Sequence, residues 1–300
     1  MKQDVSPAAR PLDTAAAMLA VLLCLSWGFN QVAVKLALAD IPPLIQAAFR
    51  STFGALIVVA IARARGVKLM ETDGTLWPGL IAGLLFGLEF LLIYRGLVWT
   101  TASRAVLFLY LAPFVVVIGA RWFLPGDRFD RSQWFGLLLS FAGIVVAFGV
   151  PTPGGHPREL LGDVMMVLAA VAWGVTTLVV KASKLVYAPY EKTLLYQLIV
   201  SAPMLAFAAQ VLGERVTSPP SAIAIGSLAY QTLWGAGFTF LAWFALVQRY
   251  SASRLSAFTF LTPLFGVAAG FIVLSEPLTP AFAAAVALVI AGLVLVNRPR

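Results

Sequence analysis

The sequence is poor in charge, cysteine and histidine. Only 11% of its 300 residues are charged, 61% are apolar, and the mean hydropathy is +0.92. A soluble domain carries about 25% charged and 45–50% apolar residues, so a water-exposed globular surface is excluded and the chain belongs in a bilayer. The single cysteine, Cys24, excludes an intrachain disulfide. Preceded by bulky Leu23, it reads as packing and not as a lipid anchor. The single histidine, His156, lies in the loop PTPGGHP, which joins two stretches of chain and offers no chemistry. No Walker loop, zinc-ligand cluster or Ser-His-Asp set is present; no catalytic residue, metal or cofactor is expected. An intramembrane lipid enzyme would need paired carboxylates at a membrane face. Asp127 and Asp130 are the nearest approach, and in a short loop they read as solvated charge.

What the chain does have is long apolar runs. A bilayer core takes about 20 mostly apolar residues per helical crossing. Ten such runs are predicted: Ala15 to Val34, Leu44 to Ala62, Leu76 to Val98, Ala105 to Leu124, Trp134 to Val150, Leu161 to Val180, Leu194 to Leu212, Ala222 to Val247, Leu255 to Leu274 and Ala281 to Val296. The first follows a polar, basic leader, but its apolar core is longer than that of a signal peptide and lacks an Ala-x-Ala exit site. With the N-terminus on the cytoplasmic side, the cytoplasmic segments collect fifteen Lys and Arg and the opposite side five (Lys35, Arg95, Arg104, Arg158 and Arg215). Basic loops stay in the cytoplasm, so both termini are predicted there. The net charge of +8 is accounted for by topology and anionic lipid, without a nucleic-acid partner.

The chain also repeats itself. SWGFNQVAVK at Ser26 to Lys35 returns as AWGVTTLVVK at Ala172 to Lys181, an offset of 146 residues. ASRAVLFLYLAP at Ala102 to Pro113 returns at 150 as ASRLSAFTFLTP, Ala252 to Pro263, and AGIVV at Ala142 meets AGLVL at Ala291. Residues 1–150 and 151–300 are thus divergent copies of one unit. Each holds five predicted helices, and an odd number makes the copies cross the membrane in opposite senses. The predicted fold is all-α: ten transmembrane helices as two inverted five-helix repeats. In such folds the solute site lies near the midplane where the repeats meet.

The repeated phrase places polar groups on one helix face. Positions i, i+3 and i+4 share a side, which aligns Trp27, Asn30 and Gln31 in the first span, and Trp173, Thr176 and Thr177 in the sixth. Buried amides and hydroxyls need a partner or water. Tying helices together and lining a cavity both meet that need; the duplication about an axis favours lining.

Glu89 lies deep in the third span and Arg50 in the second, about 15 and about 10 Å from the same face at 1.5 Å per residue. A charge in lipid is costly and usually faces a cavity or a partner. An Arg50–Glu89 ion pair is geometrically open, as a brace or as part of a site. The second repeat has Gln197 and Thr239 at the matching positions. Gly79, Gly83 and Gly87 form a ridge for close packing, from which Glu89 points away. Pro113 and Pro263 fall inside the fourth and ninth spans, where they deprive the carbonyls of Leu109 and Thr259 of a bond and kink the helix; each is a static kink or a bending point. Trp77, Trp99, Trp122 and Trp134 suit the membrane interface. Tyr94, Phe108, Tyr110, Trp243, Phe258 and Phe260 lie farther in, where they wall a pocket or pack the core.

The paired W-G-x6-K phrases, the A-S-R-x8-P runs, Arg50 and the acidic turns at Asp127 and Glu276 resemble the two EamA-type repeats of the drug/metabolite transporter superfamily, over almost the whole chain. Within it the chain is most similar to the YddG-type exporters of aromatic and other amino acids. The resemblance implies a cavity walled by helices 1, 3, 4, 6, 8 and 9, with 5 and 10 outside. It also implies a small-molecule exporter, of amino acids or similar neutral or zwitterionic metabolites. A phosphate-bearing solute would want several midplane cations, and none are convincing. A cation or drug exporter stays open through Glu89, a passive channel less so. The expected partners are the solute and membrane lipid, and the expected setting is a bacterial cytoplasmic membrane, with a monomer admissible.

Overall fold

The computed structural model describes residues 12–149, 157–275 and 277–298; His156 and Glu276 lie outside them. The first half comprises α1 (Thr14–Ala37), α2 (Pro43–Ala64), α3 (Leu76–Gly96), α4 (Ala102–Leu109), α5 (Ala112–Phe123) and α6 (Arg131–Phe148). The second comprises α7 (Glu159–Ala182), α8 (Tyr190–Val211), α9 (Ala222–Ala229), a π-helical stretch (Tyr230–Thr239), α10 (Phe240–Arg249), α11 (Ala252–Phe258), α12 (Leu261–Leu274) and α13 (Pro280–Asn297). Taking α4 with α5, and α11 with α12, as single crossings, nine segments among the described residues are each long and apolar enough to span a bilayer. The tenth crossing is Ala222–Arg249, interrupted by the π stretch. The chain is an all-helical, multi-pass membrane protein.

Local chemistry sets the helix ends. Asp13 caps α1 by accepting the Ala16 N–H at 2.8 Å. Thr101 and Ser251 cap α4 and α11 in the same way at matching places in the two repeats. Asp130 and Gln133 form a reciprocal capping box on α6. Gly66, Gly149 and Gly213 close helices with positive φ, where a side chain would be strained.

The helices pair in a pattern that survives exchange of the repeats. α1 packs on α12 and α7 on α5; α3 packs on α7 and α8, while the α9–α10 crossing packs on α1 and α2. α2 meets α8 and α6 meets α13, so these pairs are their own counterparts. Five crossings per unit invert one repeat relative to the other, and the pairing shows the resulting pseudo-two-fold. The W-G dipeptide gains a meaning here. A Cβ on Gly28 would sit 2.7 Å from the Gly266 nitrogen, and one on Gly174 2.6 Å from the Val115 side chain. The glycines let α1 and α7 lie against α12 and α5, while each neighbouring Trp turns inward.

The helices break just before the two prolines. α4 ends at Leu109 and α5 begins at Ala112; α11 ends at Phe258 and α12 begins at Leu261. The Thr259 carbonyl, denied a partner by Pro263, accepts the Thr262 N–H at 2.9 Å instead. The glycine ridge of α3 packs on α8 against Tyr196, Val200 and Met204. Trp77 and Trp122 are strongly exposed, as interface anchors should be, and Trp99 is sandwiched by Arg95 and Arg158. Asp127 corrects the sequence reading. It is buried and accepts the Ser251 hydroxyl at 2.7 Å and the Ser253 N–H at 3.2 Å, because the start of α11 folds over the α5–α6 turn.

Candidate functional site

Where the repeats meet, the helices enclose a cavity of about 250 Å3. The repeated phrase supplies both of its long walls. Trp27, Asn30 and Gln31 line it from α1, and Trp173, Thr176 and Thr177 line it from α7. Glu89, Tyr110 and Trp243, also expected there, line it too. Trp27 is clamped: its indole N–H donates to Thr239 Oγ1 at 2.9 Å, and its ring meets Trp243 edge-on at 5.1 Å between centroids. Trp173 is held edge-on by Tyr110 at 5.9 Å.

Five predicted cavity residues lie elsewhere. Thr239 is fully buried behind Trp27 and acts on it, not on the cavity. Phe260 is buried among Tyr110, Phe114 and Phe141, and Phe258 packs beside it, its carbonyl accepting the Cys24 thiol at 3.3 Å. Both sit in the second helix break, which turns inward into the core. Tyr94 packs in the α2–α8 contact, and Phe108 lies under the Arg104 guanidinium on the membrane-face side of α4.

Sequence reading missed several walls. Phe86 and Phe90 of α3, and Phe240 and Phe244 of α10, line the cavity; in a chain with 21 Phe nothing marks four of them. Arg50, expected as a brace or as part of a site, and Gln197, noted only as its counterpart, also line it, so the walls include α2 and α8, contrary to the expected set of crossings. These two residues hold matching positions in the repeats, and their being polar in long apolar runs was the available signal. Neither α6 nor α13 contributes to the lining.

The Arg50–Glu89 ion pair expected as one possibility is not among the ion pairs of the described residues. The Arg50 guanidinium instead stacks over Phe90, 4.2 Å from the ring centroid. Stacked there, it makes no contact ion pair with Glu89, though the two charges act on each other through space. Both groups face the same cavity.

The two ends of the cavity differ. Gln31 lines it and is exposed, with Lys35 exposed one turn beyond. Their counterparts are sealed: Thr177 is buried, and Lys181 is buried with Nζ donating to the Gln248 carbonyl at 3.0 Å. The Gln248 side chain donates to the carbonyls of Leu185 and Ala188, at 2.9 and 3.0 Å, and to Thr193 Oγ1 at 3.3 Å. The matching residue of the first repeat is Val98, which has no such side chain. α5 and α11 close this end with Val116, Ala120, Leu124 and Ala252, whereas α12 and α4 make no comparable contact at the other. The cavity therefore reaches the surface on the Lys35 side and is shut on the Lys181 side.

A solved crystal structure, 23% identical in sequence, superposes with a TM-score of 0.81, covering 95% of this chain and 96% of that one, and shares the fold. The transporter YvbV of Bacillus subtilis is 29% identical over 95% of this chain and 92% of its own length. A probable amino-acid metabolite efflux pump of Salmonella typhimurium is 28% identical over 92% of each chain. The transporter YedA of the Escherichia coli inner membrane is 22% identical over 83% of this chain and 79% of its own. The EamA-like transporter family model matches twice, over residues 14–149 and 160–298. On that double match and the paired helix packing, the chain belongs to the EamA-like transporter family.

Proposed function

We propose that the protein is a secondary transporter that exports amino acids or similar small neutral or zwitterionic metabolites across a bacterial cytoplasmic membrane by alternating access, and that it is not an enzyme. The observation that carries this reading is the composition of the cavity. Its walls are aromatic rings from both repeats, with a few amides and hydroxyls and a single cation, Arg50. That suits a partly apolar solute with polar ends and not a phosphate-bearing one, which several cations would clamp. The Salmonella relative named as a probable amino-acid metabolite efflux pump supports the same solute class. The charge bias of the loops supports cytoplasmic termini, which makes the open Lys35 side the outer one. Residues 1–150 and 151–300 serve as the two rocking units, with the breaks at Pro113 and Pro263 as bending points. Export of cations or drugs is the rival reading, favoured by Glu89 as the one carboxylate among the lining residues.

Counterflow of labelled amino acids in liposomes holding the purified protein, with and without a pH gradient, tests both. The proposal expects amino-acid exchange by the wild type; exchange of organic cations only would establish the rival. Flux insensitive to Glu89→Gln under a pH gradient would remove that carboxylate from energy coupling.

A further inference from the structure

The cavity carries a guanidinium and a carboxyl group that make no hydrogen bond or contact ion pair among the described residues. Arg50 is 3% exposed, and among the described residues it makes no hydrogen bond; Nε and Nη2 are buried without an acceptor. Phe90 at 4.2 Å and Phe240 at 5.8 Å cover its flat faces. Stacking favours a cation but leaves the N–H edge of the guanidinium unused. Glu89 is 8% exposed and likewise has no hydrogen-bond or ion-pair partner among the described residues. Two more lining residues hold buried, unpaired acceptors, Asn30 Oδ1 and Gln197 Oε1. A buried charge without a partner is strongly destabilising, and native proteins leave few buried polar atoms unsatisfied. Gathered around one cavity, such groups mark the place of a ligand that completes them.

The two charges stand level. Arg50 is seven residues from the first residue of α2, Pro43, and Glu89 seven from the last residue of α3, Gly96, both at the same membrane face. Because α3 ends at Gly96 and not at the predicted Val98, Glu89 is shallower than the sequence suggested, and at 1.5 Å per residue each is about 10 Å in. They attract each other through space but make no contact ion pair, Arg50 being held on Phe90. A solute with one charge would satisfy one group and leave the other bare, and a neutral solute would satisfy neither. A solute whose opposite charges sit on neighbouring atoms satisfies both.

We infer that Arg50 takes the carboxylate and Glu89 the ammonium of an α-amino acid, so that the site selects zwitterions over amines and over carboxylates. Asn30 Oδ1 and Gln197 Oε1 are further acceptors for the ammonium protons. This rests on the amino-acid reading above and assigns its charge recognition to the first repeat. The second repeat, neutral at Gln197 and Thr239, contributes aromatic wall to the side chain through Trp173 and Trp243.

The test is competition against counterflow of a labelled amino acid by four unlabelled compounds: the free amino acid, its methyl ester, its N-acetyl derivative and the doubly blocked form. In the wild type the free acid should compete at least about tenfold better than either singly blocked form, as expected where a buried charge loses its partner. Arg50→Gln, which installs the residue of the matching position in the second repeat, should abolish the advantage over the ester and keep that over the N-acetyl form. Glu89→Gln should do the reverse, while the charge-keeping Arg50→Lys and Glu89→Asp retain the wild-type order. Each neutral variant predicts the loss of its own preference, so one that runs as a single folded species in size exclusion suffices. Flux with the wild-type order unchanged in a neutral variant would overturn this inference alone. Absence of amino-acid flux in the wild type would overturn the function reading with it.

Discussion

Residue by residue, the cavity is built from side chains that are themselves held. Trp27 donates to Thr239 Oγ1, which in turn donates to the Gly235 carbonyl at 2.6 Å, while Tyr230 reaches the Ser26 carbonyl at 3.0 Å. Leaving a buried indole N–H without an acceptor costs about 1–3 kcal/mol, enough to let the ring leave its place. Thr239→Val should therefore weaken solute affinity, read as a KM raised about fivefold or more, whereas Thr239→Ser, which keeps the oxygen, should stay near wild type. Thr239 was legible as a marked position but not in its role. A hydroxyl in an apolar run looks the same from sequence whether it meets the solute or the Trp that meets the solute. The repeated Trp27 and Trp173 were readable because duplication singled them out. Phe86, Phe90, Phe240 and Phe244 were not, because in a membrane helix an apolar residue facing lipid, core or cavity carries the same hydropathy.

At the level of the helix, short phrases encode contacts more than they encode helix itself. Gly28 is the clearest case, since a methyl there would meet the backbone of Phe265 and Gly266 at 2.7–2.8 Å, and backbone cannot step aside. Gly28→Ala should lower stability by about 1–3 kcal/mol, the usual cost of overpacking, seen as a reduced melting temperature in detergent. At Gly174 the closest atoms are Val115 Cβ and Cγ1 at 2.6 Å and the Ala112 carbonyl oxygen at 3.2 Å, so Gly174→Ala should cost a similar amount. The breaks at Pro113 and Pro263 were visible in sequence because proline removes a defined hydrogen bond. The π stretch was not. Thr232 and Thr239 turn their hydroxyls onto the carbonyls four residues back, at 2.7 and 2.6 Å, and the Phe240 N–H reaches the Gly235 carbonyl five residues back. Such competition for carbonyls loosens a helix, but Thr is common enough in membrane helices that the pattern does not announce itself.

For the whole molecule, the repeats supply the machine and the differences between them supply its state. Ten crossings, the duplication and the pairing of α6 with α13 away from the cavity follow from spacing and resemblance. What the sequence hid is that one end of the cavity is latched. Gln248 holds Leu185, Ala188 and Thr193 with its amide and Lys181 with its carbonyl, while Val98 leaves the opposite end without the amide. Each such bond contributes about 0.5–1.5 kcal/mol net, and about 1.4 kcal/mol is a tenfold change in population. Gln248→Val should thus raise the reactivity of a cysteine placed at Thr177 toward an impermeant thiol reagent supplied only on the Lys181 side by about tenfold or more, measured in a Cys24→Ala background. An unchanged rate would mean that the amide does not hold this end shut.

The central claim is that both repeats face one solute in one cavity, and substrate protection at paired positions tests it most directly. Gln31→Cys and Thr177→Cys, made separately in the Cys24→Ala background, occupy equivalent places in the two copies. A transported amino acid should slow labelling of both with the same concentration dependence. Protection of one position only, or of neither, would contradict a shared site.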